Sequence, residues 1–92
     1  MTLTELKTAM RISTDAFDGE LNNLMASAEL DLGIAGVVVP QEENQLVNLA
    51  VITYCKMNFG NPDNYDRLKR SYDEQKAQLS MATGYTRWSR DG

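Results

Sequence analysis

The chain contains no histidine, one cysteine, one tryptophan and two prolines. No apolar stretch approaches the roughly 20 residues needed to cross a membrane. Each scarcity excludes something. Without histidine the usual proton shuttle at neutral pH is missing, and no Cys/His cluster can hold zinc. A single cysteine rules out an intrachain disulfide. Cys55 falls inside an apolar helical pattern and reads as a small core residue rather than a reactive thiol. The first ten residues carry Glu5 and Lys7 and no apolar run, so no signal peptide is read and a reducing, cytoplasm-like place of synthesis is expected.

What the chain does have is ordinary for a folded domain. Of its 92 residues 42% are hydrophobic and 24% charged, too apolar for disorder and short enough for one domain. A core of this size is modest, and association with neighbours would add to it. The net charge is −4, unevenly placed. Residues 1–60 hold eight acids and three bases, whereas residues 61–92 hold five acids and six bases. Tight binding to duplex nucleic acid needs several phosphates neutralised by Lys and Arg, and only the C-terminal third could attempt it.

Four helical patterns follow one another. In TLTELKTAMRI, Thr2 and Glu5 form a capping box ahead of Leu3, Leu6 and Met10, and the helix ends near Arg11. In STDAFDGELNNLMASAELDLG, a cap is expected at Ser13, Thr14 or Asp15. Phe17, Leu21, Leu24, Met25, Ala28 and Leu32 then repeat at helical spacing, and Gly33 is the expected stop. After the valine run, PQEENQLVNLAVITYCKMNFG reads as the most buried helix. Pro40 pre-sets its first turn, Glu42 and Glu43 favour its N-terminus, and Gly60 ends it. In NPDNYDRLKRSYDEQKAQLSMATG, Asn61 caps and Pro62 occupies the first helical position. The apolar stripe there is thin, limited to Tyr65, Leu68, Tyr72 and Leu79. A helix of about 20 residues, roughly 30 Å long, is poorly used by a small core. It either projects towards another chain or lies solvated with pairs such as Asp66 and Arg70. The expected fold is all-α: a small bundle of about four helices, with a short extended linker between helices two and three.

Two segments stand outside the helical patterns. Val37, Val38 and Val39 in the linker either cover the core, the preferred reading, or add to a neighbouring subunit's surface. The last residues, TGYTRWSRDG, interleave Tyr85 and Trp88 with Arg87 and Arg90. These residue types concentrate binding energy at protein interfaces. A helical domain over 1–83 and a C-terminal tail over 84–92 are therefore expected. The tail would order on a partner, or Trp88 would fold back on its own bundle.

No catalytic constellation, metal site or cofactor motif is found, and the chain is read as no enzyme. Asp15 and Asp18 are near one another, but paired acids at a helix start are cap and dipole residues far more often than an acid/base pair. GIAG lacks the lysine of a phosphate-binding loop. Arg67, Lys69, Arg70 and Lys76 share one helix, yet Asp63, Asp66, Asp73 and Glu74 interrupt their field. A helix-turn-helix would need a turn of three or four residues, and GIAGVVVP is too long for one.

The order of these elements resembles the small head-tail connector proteins of tailed phages, also called head-completion, adaptor or DNA-packaging-like proteins. In that family a short L-x-x-x-K-x-x-[LM]-R-I helix leads into an acid-rich turn and a longer helix. Leu3, Lys7, Met10, Arg11 and Ile12 match here, followed by Asp15, Asp18, Leu21 and Leu24. The apolar LVNLAVITYCKMNFGNPD, with Tyr54 near its end, resembles the family's third helix. The likeness covers about residues 2–75. It departs in the linker, where many members are longer and carry a proline-containing strand pair, and the tail after Gly84 matches no known pattern. The resemblance implies a virion protein made in the host cytoplasm, with no cofactor and no membrane contact. Commonly about a dozen copies would form a ring beneath the portal protein. The ring would seat stopper or tail proteins, and DNA would pass through its lumen without being retained. The alternative reading is a small phage or prophage regulatory protein that binds a host protein or DNA.

Overall fold

The computed structural model describes residues 1–37 and 44–81, and these build four helices: α1 (Leu3–Met10), α2 (Asp18–Ile34), α3 (Gln45–Asn58) and α4 (Tyr65–Met81). The all-α bundle expected from the sequence is the fold observed. Its core gathers Leu6 from α1, Leu21, Ala28 and Leu32 from α2, Val47, Val51 and Cys55 from α3, and Tyr72 and Leu79 from α4. Helix α3 packs against each of the other three, because apolar residues occupy most of its circumference.

Helix α1 starts at the expected capping box. The Thr2 amide donates to Glu5 Oε1 at 2.8 Å, and the Glu5 amide donates to Thr2 Oγ1 at 3.1 Å. It ends in a Schellman turn. Arg11 sits at φ 60°, its amide donates to the Thr8 carbonyl, and the Ile12 amide donates to the Lys7 carbonyl at 2.9 Å.

Helix α2 departs from expectation at both ends. It begins at Asp18, with Phe17 in the cap position and no side-chain cap. The residues expected to cap it are engaged in the preceding turn. Thr14 Oγ1 accepts the Ala16 amide, and the Asp15 carboxylate is held by Lys7. Phe17 instead packs edge-on against Phe59, with ring centroids 5.2 Å apart, which ties the start of α2 to the end of α3. At the other end Gly33 is helical and the stop is Gly36, at φ 93°. The Gly36 amide donates to the Gly33 carbonyl and the Val37 amide to the Leu32 carbonyl, again the Schellman pattern.

Helix α3 begins at Gln45. Asn44 Oδ1 accepts the amides of Leu46 and Val47, both at 3.0 Å, so the cap is Asn44; Glu42 and Glu43 lie outside the described residues. The expected role of Pro40 lies outside the described residues. Gly60, at φ 68°, follows the helix end as expected. Helix α4 starts later than the Asn61–Pro62 pair predicted. The Leu68 amide donates to the Asn64 carbonyl, which places the first helical turn at Tyr65. The chain must first reverse after Gly60, and residues 61–64 make that reversal. At 1.5 Å per residue, the 17 described residues of α4 run about 25 Å. The ion pair along α4 joins Lys69 to Asp73 at 3.0 Å, rather than Asp66 to Arg70.

Candidate protein interface

Of the sequence-predicted interface residues, Tyr85, Arg87, Trp88 and Arg90 lie outside the described residues, as do Val38 and Val39. Val37 is described, and it is only 4% exposed, packed in the core cluster.

Two polar clasps fix the helices that carry the remaining surface. In the first, Lys7 Nζ lies 2.8 Å from Asp15 Oδ1 and 2.9 Å from Asp18 Oδ1. The hydrogen bonds to the two carboxylates raise the lysine's pKa, and the bond from Lys7 lowers that of Asp15. This clasp closes the α1–α2 turn. In the second, Tyr72 Oη donates to Asp31 Oδ2 at 2.6 Å, and Lys76 Nζ sits 3.1 Å from the same oxygen. Lys76 also lies over the Tyr72 ring, 5.1 Å from its centroid, and Tyr54 meets that ring edge-on at 5.3 Å. The Tyr72 hydroxyl, then Lys76, holds the Asp31 carboxyl below its ordinary value, while burial and then Asp31 push the Tyr72 hydroxyl up. Lys69 and Lys76, two of the four bases on α4, are thus already committed to acids of the same chain.

The outer face of α2 is unlike a solvated helix surface. Glu20, Asn23, Ser27, Leu30 and Ile34 are all exposed, and their alternating spacing of three and four places them in one stripe. Leu30 is 67% and Ile34 78% exposed. The stripe lies opposite the core-facing Leu21, Ala28 and Leu32, so α2 is apolar on two faces at its C-terminal end. A helix of that kind is normally covered on both. The stretch from Ile12 to Cys55 contains no Lys or Arg, so every charge on α2 is acidic.

A second apolar feature lies between α3 and α4. Leu46, Leu49, Gln75, Gln78 and Leu79 line a groove of about 100 Å³, with Leu46 and Leu49 each 49% exposed. Further along the same pair of helices, Lys56 and Arg67 line a wider recess together with Met10, Phe59 and Leu68. Neither base makes an ion pair among the described residues. The sequence reading missed Leu30 and Ile34 as surface residues. The available signal was their four-residue spacing on the face away from Leu21, Ala28 and Leu32.

Among the described residues no group of Cys, Asp or Glu is placed to hold a metal ion, and no described helix is long and apolar enough to cross a membrane. The sequence model of a family described as phage connector protein matches residues 2–86. The match spans all four helices, reaches further than the resemblance read over 2–75, and takes in Tyr85 but not Arg87, Trp88 or Arg90. No curated protein and no solved structure matches the chain.

Proposed function

The chain belongs to the phage connector protein family, and from that premise we propose that its copies stand side by side in a closed ring at the head-tail interface, beneath the portal protein. It is a structural connector of the phage particle that assembles with other virion proteins. In the proposed ring, stopper or tail proteins seat on the side away from the portal, and DNA passes through the lumen. The family match over 2–86 carries this reading, because it spans every helix of the fold.

Physical features support it. The core is small, so burial against neighbours adds stability that one copy alone lacks. A net charge of −4 keeps a channel wall from retaining DNA by long-range attraction. The two lysines of α4 that could face phosphate are tied to Asp73 and Asp31.

Within this reading, residues 1–83 form the connector body and residues 84–92 dock on the portal or an adjacent subunit through Tyr85, Arg87 and Trp88, with Arg90 at the rim. Aromatic and Arg anchors of this kind carry interface energy out of proportion to their number. The test is a chain ending at Ala82, measured for binding to the portal ring of the same phage. A loss of affinity of about tenfold or more is expected. Unchanged affinity contradicts the docking role.

A further inference from the structure

We propose that the outer stripe of α2 in one copy docks into the α3/α4 groove of the next, so that the two sides of each subunit are different and complementary. The inference rests on the ring reading above and assigns the surfaces that reading leaves open.

Three observations carry it. The first is shape. Leu30 and Ile34 protrude, at 67% and 78% exposure, while Leu46, Leu49 and Leu79 border a recess of about 100 Å³. An apolar cavity of about 150 Å³ accepts a benzene ring, so this one takes a branched aliphatic side chain. The second is charge. The stripe and its flanks carry only acids, with Glu20 and Glu29 making no ion pair among the described residues. Further along the same two helices a separate recess is lined by Lys56 and Arg67, which are likewise free of ion pairs among the described residues. The third is register. At 1.5 Å per residue, Glu20 lies about 15 Å along α2 from Leu30. Lys56 lies about 10 Å along α3 from Leu49, and Arg67 about 12 Å along α4 from Gln75. Seating Leu30 and Ile34 in the apolar end therefore brings Glu20 to the basic end.

The occupant is a second copy because the two surfaces match each other in both polarity and spacing. They also sit on different flanks of the subunit. Gln75 and Gln78 face the groove, whereas Lys76, on the other flank of α4 by helical spacing, reaches Asp31 of α2. A head-to-tail contact between unlike surfaces repeats from copy to copy and gives a ring when the rotation per step closes, whereas a contact between like surfaces stops at two copies.

Site-directed cross-linking of the full chain tests this. Cys55 is buried and stays in place. A chain carrying both Ile34→Cys and Leu49→Cys should oxidise into a ladder extending beyond dimers, while either substitution alone should give no cross-link. In parallel, light scattering on Leu30→Glu and Leu49→Glu, with folding checked by circular dichroism, should show association weakened about tenfold or more relative to wild type. Dimers from Ile34→Cys alone mean a two-fold contact and overturn the proposal. Wild-type association undisturbed by either Glu substitution overturns the proposal and leaves the ring reading standing. A wild-type chain that stays monomeric up to about millimolar concentration, and also fails to assemble when mixed with the portal, contradicts self-assembly and removes both.

Discussion

Tyr72 donates a 2.6 Å hydrogen bond to Asp31 across 41 positions of sequence, joining α4 to α2. The donor is buried and the acceptor is charged, so the bond is shorter and stronger than a neutral one. Lys76 completes the contact at the same carboxylate oxygen, 3.1 Å away. Replacing Tyr72 with Phe keeps the ring and removes the donor. Because the Asp31 side chain is about a third exposed, water screens part of the effect, and a loss of about 1 kcal/mol is expected. Urea denaturation of the variant against wild type measures it.

The same carboxylate makes stability depend on pH. The Tyr72 hydroxyl, followed by Lys76, lowers the pKa of Asp31 from its ordinary 3.8. A depressed carboxylate contributes stability that is fully present above its unfolded value and is lost as pH falls through the folded one. The contribution therefore fades below about pH 4. An Asp31→Asn variant should be less stable than wild type at pH 7, with the gap narrowing towards pH 2. Thermal melts across that range check it. A gap that widens in acid would contradict the assignment.

Two glycines three residues apart should respond oppositely to alanine. Gly33 is helical and exposed, and a Cβ there meets nothing within 4 Å, so Gly33→Ala should stabilise the chain by about 0.5–1 kcal/mol. Gly36 holds φ 93° to end the helix, so Gly36→Ala should cost about 1–2 kcal/mol even though the space around it is open. The two melting temperatures, taken beside wild type, decide the matter.

Cys55 should be inert. Its side chain is fully buried, and burial pushes the thiol up to about 11. At pH 8 almost no thiolate is present and no path leads to it. A thiol reagent should label the native chain only as fast as the chain opens, and should label at once in denaturant. Rapid labelling of the folded protein would show that the α3 core is looser than described.

The chain announces its helices more clearly than their ends. The Thr2–Glu5 box and the apolar run through Val47, Val51 and Cys55 are local signals, and both are found in place. The start of α2 is ambiguous in the sequence because Thr14 and Asp15 are equally good caps and turn residues. What decides between those uses is Lys7, eight positions back from Asp15, which draws the acid into the turn. Gly33 is the expected stop, yet Gly36 is the glycine that takes the positive φ, and residue type alone does not separate the two. For α4, Pro62 fits a first helical turn, yet the reversal after Gly60 needs those residues. Leu30 and Ile34 fall outside the period of Leu21, Ala28 and Leu32, because α2 carries a second apolar face. The Asp31–Tyr72 bond was beyond reach from sequence, since it depends on how α2 and α4 are placed around α3.

The central claim is that this chain is a repeating unit of a ring. Native mass spectrometry of the full chain mixed with the portal of its own phage tests it most directly. The account predicts one dominant complex holding a fixed, whole-number set of copies on each portal, with no ladder of partial occupancies at saturation. A portal mass that stays unchanged, or that rises by single copies in a random distribution, would contradict it.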